Sequence, residues 1–198
     1  WEVLDRRVLD VLGEIKREDF VPVRHRKLAF ADLALPLAHG ETMLKPVLEG
    51  RLLQALDLKP TDDVLQIGAG SGFLSACLAR LARAVHALEL HPDLAAEAQR
   101  RLDAAEIANV RLECADAATW STGQRFDAIL VGGAVAELPQ RFADWLKPGG
   151  RLVAVRGQAP VQEAVCAYAE AAGLRVESLL ETDIPYLRGF APQARFAL

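Results

Sequence analysis

The stretch Val64-Leu65-Gln66-Ile67-Gly68-Ala69-Gly70-Ser71-Gly72-Phe73 constrains the fold of this 198-residue chain more than any other. An apolar run with β-branched Val64 and Ile67, preceded by Thr61-Asp62-Asp63 as a turn, reads as a buried strand. Glycines then occupy alternate positions. Phe73, Leu74, Cys77, Leu78 and Leu81 follow at helical spacing, in a helix running to Arg83. Strand, glycine turn and helix start are the parts of a nucleotide-binding crossover. Glycine accepts positive φ and admits a ligand without a Cβ in the way, and a helix start offers unpaired N–H groups.

A dinucleotide fingerprint needs glycines in the order Gly-x-Gly-x-x-Gly, which would require glycine where Phe73 stands. That disfavours a nicotinamide oxidoreductase. The observed Gly-x-Gly-x-Gly spacing resembles that of S-adenosylmethionine (SAM) methyltransferases. Glu89 closes the next strand, Ala84-Val85-His86-Ala87-Leu88. It lies about twenty residues beyond the first glycine, where an acidic side chain takes ribose hydroxyls. The competing readings are an ordinary tight turn for the glycines and a solvated strand-end charge for Glu89.

Strand and helix patterns alternate through the rest of the chain. Pro92 opens an alanine-rich helix to Ala105, and Val110–Glu113 is a strand leading to Cys114-Ala115-Asp116. Phe126–Val131 is a strand capped by Gly132-Gly133, Leu138–Leu146 a helix closed by Lys147-Pro148-Gly149-Gly150, and Arg151–Val155 a further strand. Such alternation predicts an α/β fold, a three-layer αβα sandwich around a doubly wound, mainly parallel sheet. Before the glycine turn, Trp1–Arg17 carries an amphipathic stripe of Leu4, Val8, Val11, Leu12 and Ile15. Leu28–His39 reads as loop with short extended pieces, and Pro46 starts a helix striped by Val47, Leu48, Leu52, Leu53 and Leu56. For Val161–Glu181 two readings stand: a helix over Glu163–Ala172 with a strand after it, or a hairpin of two strands around Glu170–Gly173.

The length suits one domain over residues 1–198, with a helical, loop-bearing part (1–60) and a cofactor-binding sheet (61–198). A net charge of -4 argues against a general nucleic-acid surface, and the basic run Val23-Arg24-His25-Arg26-Lys27 reads as a solvated face. No apolar run reaches the roughly 18 residues of a membrane span. The cysteines, Cys77, Cys114 and Cys166, are odd in number and far apart, giving neither a disulfide framework nor a zinc spacing, and no metal is expected. Cytoplasmic residence is the expectation. The chain begins at Trp1 rather than methionine, so the lack of a leader is no argument about location.

Several stretches together resemble the protein-L-isoaspartate O-methyltransferase family. They are Asp19-Phe20-Val21-Pro22, Leu28-Ala29-Phe30-Ala31-Asp32, His39-Gly40-Glu41-Thr42 with Pro46, the glycine loop, Glu89-Leu90-His91-Pro92, Phe126-Asp127-Ala128-Ile129 and Leu146–Val153. They follow the family's order across nearly the whole chain, and those before the glycine loop are the specific ones. The resemblance implies a SAM-dependent O-methyltransferase acting on a protein or peptide carboxylate, in protein repair or modification; a monomer is the expectation, though the sequence does not itself give the oligomeric state. It implies a seven-stranded sheet with the last two strands antiparallel, which favours the hairpin for 161–181. It implies that Gly68, Gly70, Ser71 and Gly72 line the methionine and ribose, that Glu89 holds the ribose diol, and that Asp116 with Ala117 meets the adenine edge. Gly132 and Gly133 are then beside the methyl donor, Gln66 is at the cofactor, and Thr42, Met43 and Leu44 form the substrate loop.

Departures from the family pattern matter for function. Gln66 stands where the family has an acidic residue, and a neutral amide in place of a charge partner weakens cofactor binding by roughly tenfold. Leu44 replaces a serine in the loop that meets the isoaspartyl group, and Phe190-Ala191-Pro192-Gln193 replaces the family's Phe-Val-Pro-Leu. The alternative is therefore a divergent SAM-binding relative with a different substrate or no catalytic activity. No general base is required for methylation of a carboxylate, which is already ionised near neutral pH. His25, His39, His86 and His91 are unclustered in the sequence and read as structural, with His39 nearest the substrate loop.

Overall fold

The computed structural model describes residues 3–192. The amphipathic N-terminal stripe becomes helix α1, Arg6–Glu14, which buries Val8 and Val11 and is capped where the Asp5 carboxylate accepts from the Arg7 N–H at 2.8 Å. It ends sooner than its periodicity suggested because Ile15 is extended, and a separate short helix α2, Arg17–Phe20, follows. Strands β1 (Leu35–Pro36) and β2 (Thr42–Met43) pair antiparallel as a small ribbon, and Pro46 opens helix α3, Pro46–Ala55.

The main sheet then builds outward from β3, Asp63–Ile67, through helix α4 (Phe73–Leu81), β4 (Ala84–Glu89), helix α5 (Pro92–Ala104) and β5 (Val110–Cys114). The chain returns to the other side of β3 as β6, Phe126–Val135, and continues through helix α6 (Gln140–Asp144) to β7, Leu146–Gln158. A hairpin of β8 (Val161–Glu170) and β9 (Gly173–Thr182) completes a seven-stranded sheet in the order β5-β4-β3-β6-β7-β8-β9. Strands β3 to β7 are mutually parallel, and β8 runs antiparallel to both its neighbours. Strand β3 is interior, as expected, and the order reverses beside it. That makes the carboxyl ends of β3, β4 and β6 the place where such sheets bind ligands.

One expected helix is shorter than its pattern suggested, and the choice left open by local propensity is settled as the family resemblance implied. The helix expected over Leu138–Leu146 shrinks to α6 because Trp145 and Leu146 are recruited to the sheet. The Phe126 N–H donates to the Trp145 carbonyl at 2.8 Å, and Leu146 pairs with Phe126. The open choice over 161–181 resolves as the hairpin. Alanine and glutamate favour a helix locally, but Ala164–Ala167 is fully buried between β7 and β9, and tertiary pairing overrides propensity.

The sheet separates two apolar layers. Val64, Val85, Leu130 and Val153 pack under α1, α3, α4 and α5, whereas Leu65, Ile67, Ile129 and Leu152 face α6, Trp120, Trp145 and the chain near Leu187. The second outer layer is thin in helix, consisting of α6 and irregular chain. Among the described residues, no helix is long and apolar enough to cross a membrane.

Candidate active site

The glycine turn takes the conformations its sequence demands. Gly68, Gly70 and Gly72 have φ of +83°, +55° and +85°, in the left-handed region that favours glycine. Gly72 caps α4 with its Cα against α5, where a Cβ would come within 3.2 Å of the Ala98 Cβ. Opposite, the β6–β7 register slips between Leu130 and Ala134, so Gly132 and Gly133 leave the regular ladder. A Cβ on Gly132 would lie 2.7 Å from the Gly68 carbonyl oxygen, so only glycine lets β6 pass this close to the turn.

A cleft of about 750 Å³, open solvent at its mouth included, lies over these strand ends. Its walls include Gly68 and Gly70 from the turn, Glu89 at the end of β4 and His91 after it, Asp116 and Ala117 after β5, Gly132 and Gly133 from β6, and Thr42 and Leu44 from the loop before α3. Glu89 is buried at the cleft edge, its carboxylate accepting from the Gly70 N–H at 2.8 Å and the His91 N–H at 3.0 Å. A carboxylate has about four acceptor sites, so two donors leave capacity for a ligand's hydroxyls. Asp116 stands where the resemblance expects it, at the cleft. Its carboxylate also caps its own loop by accepting from the Ala118 N–H at 2.8 Å.

Four of the residues expected at the site, Gln66, Ser71, Gly72 and Met43, do not line the main cleft. Gln66 is fully buried on the α4 side of β3, where its carboxamide accepts from the Ser75 hydroxyl at 2.6 Å and donates to the Gly68 carbonyl at 3.3 Å. It does not line the cleft, because strand alternation puts it on the face opposite Leu65 and Ile67. Gly72 is occupied by helix packing. Ser71 and Met43 line a smaller adjoining hollow rather than the main cleft.

The loop at Thr42–Leu44, expected to meet the substrate, is anchored by a buried ion pair that no local sequence pattern announced. Arg17 from α2 and Glu49 from α3 are each 2% exposed, with Arg17 Nε 2.9 Å from Glu49 Oε2. The guanidinium also donates to the Leu44 carbonyl at 2.8 Å and the Ala29 carbonyl at 2.7 Å. Burial pushes the Glu49 carboxyl up to about 7, with Arg17 pulling the other way. Burial likewise drives the nearby Cys77 thiol well up, so it is inert as a nucleophile.

Two further groups complete the surround. His39 and His91 stack with ring centroids 4.1 Å apart. His39 Nε2 lies 2.8 Å from Asp93, which with the ring stacking clasps the loop to the start of α5, whereas Glu41 comes only within 3.5 Å of His91 Nε2 and forms no hydrogen bond with it. The chain after β9 also closes the cleft through Pro185, Tyr186, Leu187, Arg188 and Phe190. It is stitched to β6 by the Ala134 N–H on the Pro185 carbonyl and the Leu187 N–H on the Ala134 carbonyl, both 2.9 Å. The Tyr186 hydroxyl pins it further by donating to the Gly157 carbonyl at 2.9 Å. Of the stretch 190–193 singled out in the sequence, only Phe190 lines the cleft, and Gln193 lies outside the described residues.

Comparison with known proteins identifies the family. The chain is 38% identical over 190 residues to a protein-L-isoaspartate O-methyltransferase of Anaeromyxobacter sp., covering 94% of this chain and 78% of that one. It is 35% identical to one from Roseiflexus sp., covering 96% of this chain and 88% of the relative. A solved protein-L-isoaspartate O-methyltransferase structure from Plasmodium falciparum, in complex with S-adenosyl-L-homocysteine, shares the fold with a TM-score of 0.81 at 21% identity, over 94% of this chain and 92% of that one. A family model for protein-L-isoaspartate(D-aspartate) O-methyltransferase matches residues 2–182, and the chain belongs to that family.

Proposed function

We propose that this protein transfers the methyl group of SAM to a carboxylate of a protein or peptide, with an isoaspartyl residue as the substrate class. The observation that carries the reading is Glu89, a buried carboxylate fixed by two backbone donors at the sheet's switch point, facing a cleft closed by the substrate loop. The cleft fits the cofactor. The close approach of Gly132 to Gly68 leaves a side-chain-free cradle, and the buried His91 Nε2 on the cleft wall has no hydrogen-bond partner within the protein.

When bound, SAM supplies an electrophilic methyl group on a sulfonium, which a carboxylate oxygen takes as the bonding pair leaves on sulfur. Glu89 would hold the ribose diol, Asp116 and Ala117 the adenine edge, and Gly68, Gly70 and Gly132 the methionine end. The chain's contribution to rate is alignment and exclusion of water. Arg17 fixes the Leu44 carbonyl, and the stacked histidines fasten the same loop, so the loop is held across the cleft. The transfer to an ionised carboxylate moves no proton, so no general base is needed.

Leu44 favours a restricted form of this activity. It is buried and lines the cleft where a serine would donate a hydrogen bond to the incoming carboxylate. A relative with a different carboxylate substrate is the second reading. We read the whole chain as one unit, residues 1–60 bringing the loop and 61–198 the cofactor sheet, acting as a monomer in the cytoplasm. The unpaired cysteines suit a reducing compartment.

The test is titration of SAM into wild-type protein and Glu89→Ala. Loss of charge-assisted contacts to the ribose should weaken binding by about 1.5–3 kcal/mol. Unchanged affinity in a folded variant would reduce Glu89 to a turn-bracing role.

A further inference from the structure

A smaller hollow of about 300 Å³, open solvent included, opens off the cleft between the glycine turn and the substrate loop, sharing Thr42, Leu44, Gly68, Gly70 and Gly132 with it. Among its lining residues one is ionisable, Glu49 of α3. Its position resolves a question raised by the sequence. Position 66 lacks the acidic residue expected beside a cationic donor, and the Gln66 carboxamide is turned away and engaged by Ser75 and Gly68.

We propose that Glu49 is the counter-ion for the cationic methionine end of SAM. The inference rests on the SAM reading of the cleft, which puts the ammonium and sulfonium against Gly68–Gly72 and Gly132. A buried carboxylate in the wall of the hollow is the group that such a cation seeks, because attraction between charges strengthens away from water. Glu49 is not saturated by its existing partner. Arg17 bonds to one of its oxygens and spends its other two nitrogens on backbone carbonyls of Ala29 and Leu44. Burial still dominates, and the carboxyl remains near 7 despite the guanidinium. The Cys77 thiol of α4 is raised by burial and by Glu49 itself, so it stays protonated and offers no competing charge. The same carboxylate orients Arg17, so occupancy of the donor site and the hold on Leu44 share one group.

The sign of the pH dependence follows. A cation beside Glu49 lowers its pKa, so SAM uptake near neutrality releases a proton from the fraction of Glu49 still protonated. The contribution is present above pH 7 and lost as pH falls below it.

The experiment is calorimetric titration of SAM into wild-type protein and Glu49→Gln at pH 6 and 8, each in two buffers of different ionisation heat. SAM's own ammonium contributes equally to both proteins, so the difference between them reports Glu49. Wild-type affinity should rise several-fold more from pH 6 to 8 than that of the variant, with the extra proton release confined to wild type. At pH 8 the variant should bind about tenfold more weakly. Because Glu49→Gln leaves Arg17 without its charge partner, Arg17→Met/Glu49→Gln provides a second background, in which the same loss of proton release is expected. Equal affinity and equal proton release in wild type and a folded variant overturn the proposal alone. A wild-type protein that takes up no SAM overturns the SAM reading and this inference with it.

Discussion

Arg17 and Glu49 are the residues at which this chain departs furthest from a plain apolar core. Glu49 lies on the same α3 face as Leu52, Leu53 and Leu56, all fully buried. A charge on an apolar stripe was the available signal in the sequence, but its partner is 32 positions away and no local pattern identifies it. The pair has a calculable consequence for stability. A carboxyl raised to about 7 in the fold, against an unfolded value of 4.5, keeps its proton in the native state over a range where the unfolded chain has released it. Its contribution is fully present below 4.5 and lost as pH rises through 7. Relative to Glu49→Gln, the cofactor-free wild type should therefore lose stability between pH 5 and 8. The difference in melting temperature between the two proteins should shift toward the variant over that range, by several degrees, since about 1 kcal/mol corresponds to roughly 2–4 °C at this chain length. Parallel melting curves at both pH values would show that Glu49 titrates normally in the fold.

Among elements, the strand–turn–helix of β3 and α4 was the most legible because its determinants are local: β-branched residues, alternate glycines and a helical stripe within about twenty positions. The β8–β9 hairpin was not, since its alanines gain more from burial between strands than they lose in helix propensity. The chain from Pro185 to Arg188 lay beyond local rules as well, because what places it is backbone pairing with Ala134 of β6. The register slip in β6 belongs to the same class, though its cause is sharp: two glycines where the strand meets the turn. Gly132→Ala forces a Cβ onto the Gly68 backbone, not onto a flexible side chain that could swing aside. The expected cost is about 1–3 kcal/mol of stability, together with at least tenfold weaker SAM binding as the turn is displaced. Gly123→Ala, with nothing within 4 Å of the added methyl, is the control and should leave both unchanged. A Gly132→Ala protein with wild-type melting and SAM affinity would show that β6 and the turn can separate without consequence.

At the scale of the whole molecule, function depends on bringing two parts of the chain together. The sheet places Glu89, Asp116 and Gly132 at one edge of the cleft, and residues before the sheet place Leu44 across from them. The sequence made the cofactor half readable, because its signals are a turn and a strand end. The substrate half depended on family resemblance, and its anchoring by Arg17, the stacked histidines and Pro185–Arg188 emerged only from packing. The central claim is that these halves together methylate an isoaspartyl carboxylate, with Leu44 limiting the rate. Misplacing reacting atoms by about an ångström costs roughly a hundredfold, and a leucine offers no donor to hold the carboxylate in line. Leu44 is also buried, so a serine there costs about 2–5 kcal/mol of packing and the assay belongs well below the melting temperature. The most direct measurement is radiolabelled methyl ester formation from SAM on one isoaspartyl peptide, with the normal aspartyl peptide as control, in wild type and Leu44→Ser. The account predicts slow, base-labile labelling of the isoaspartyl peptide alone, rising at least several-fold in Leu44→Ser; no labelling by either protein at saturating SAM, or equal labelling of both peptides, would contradict it.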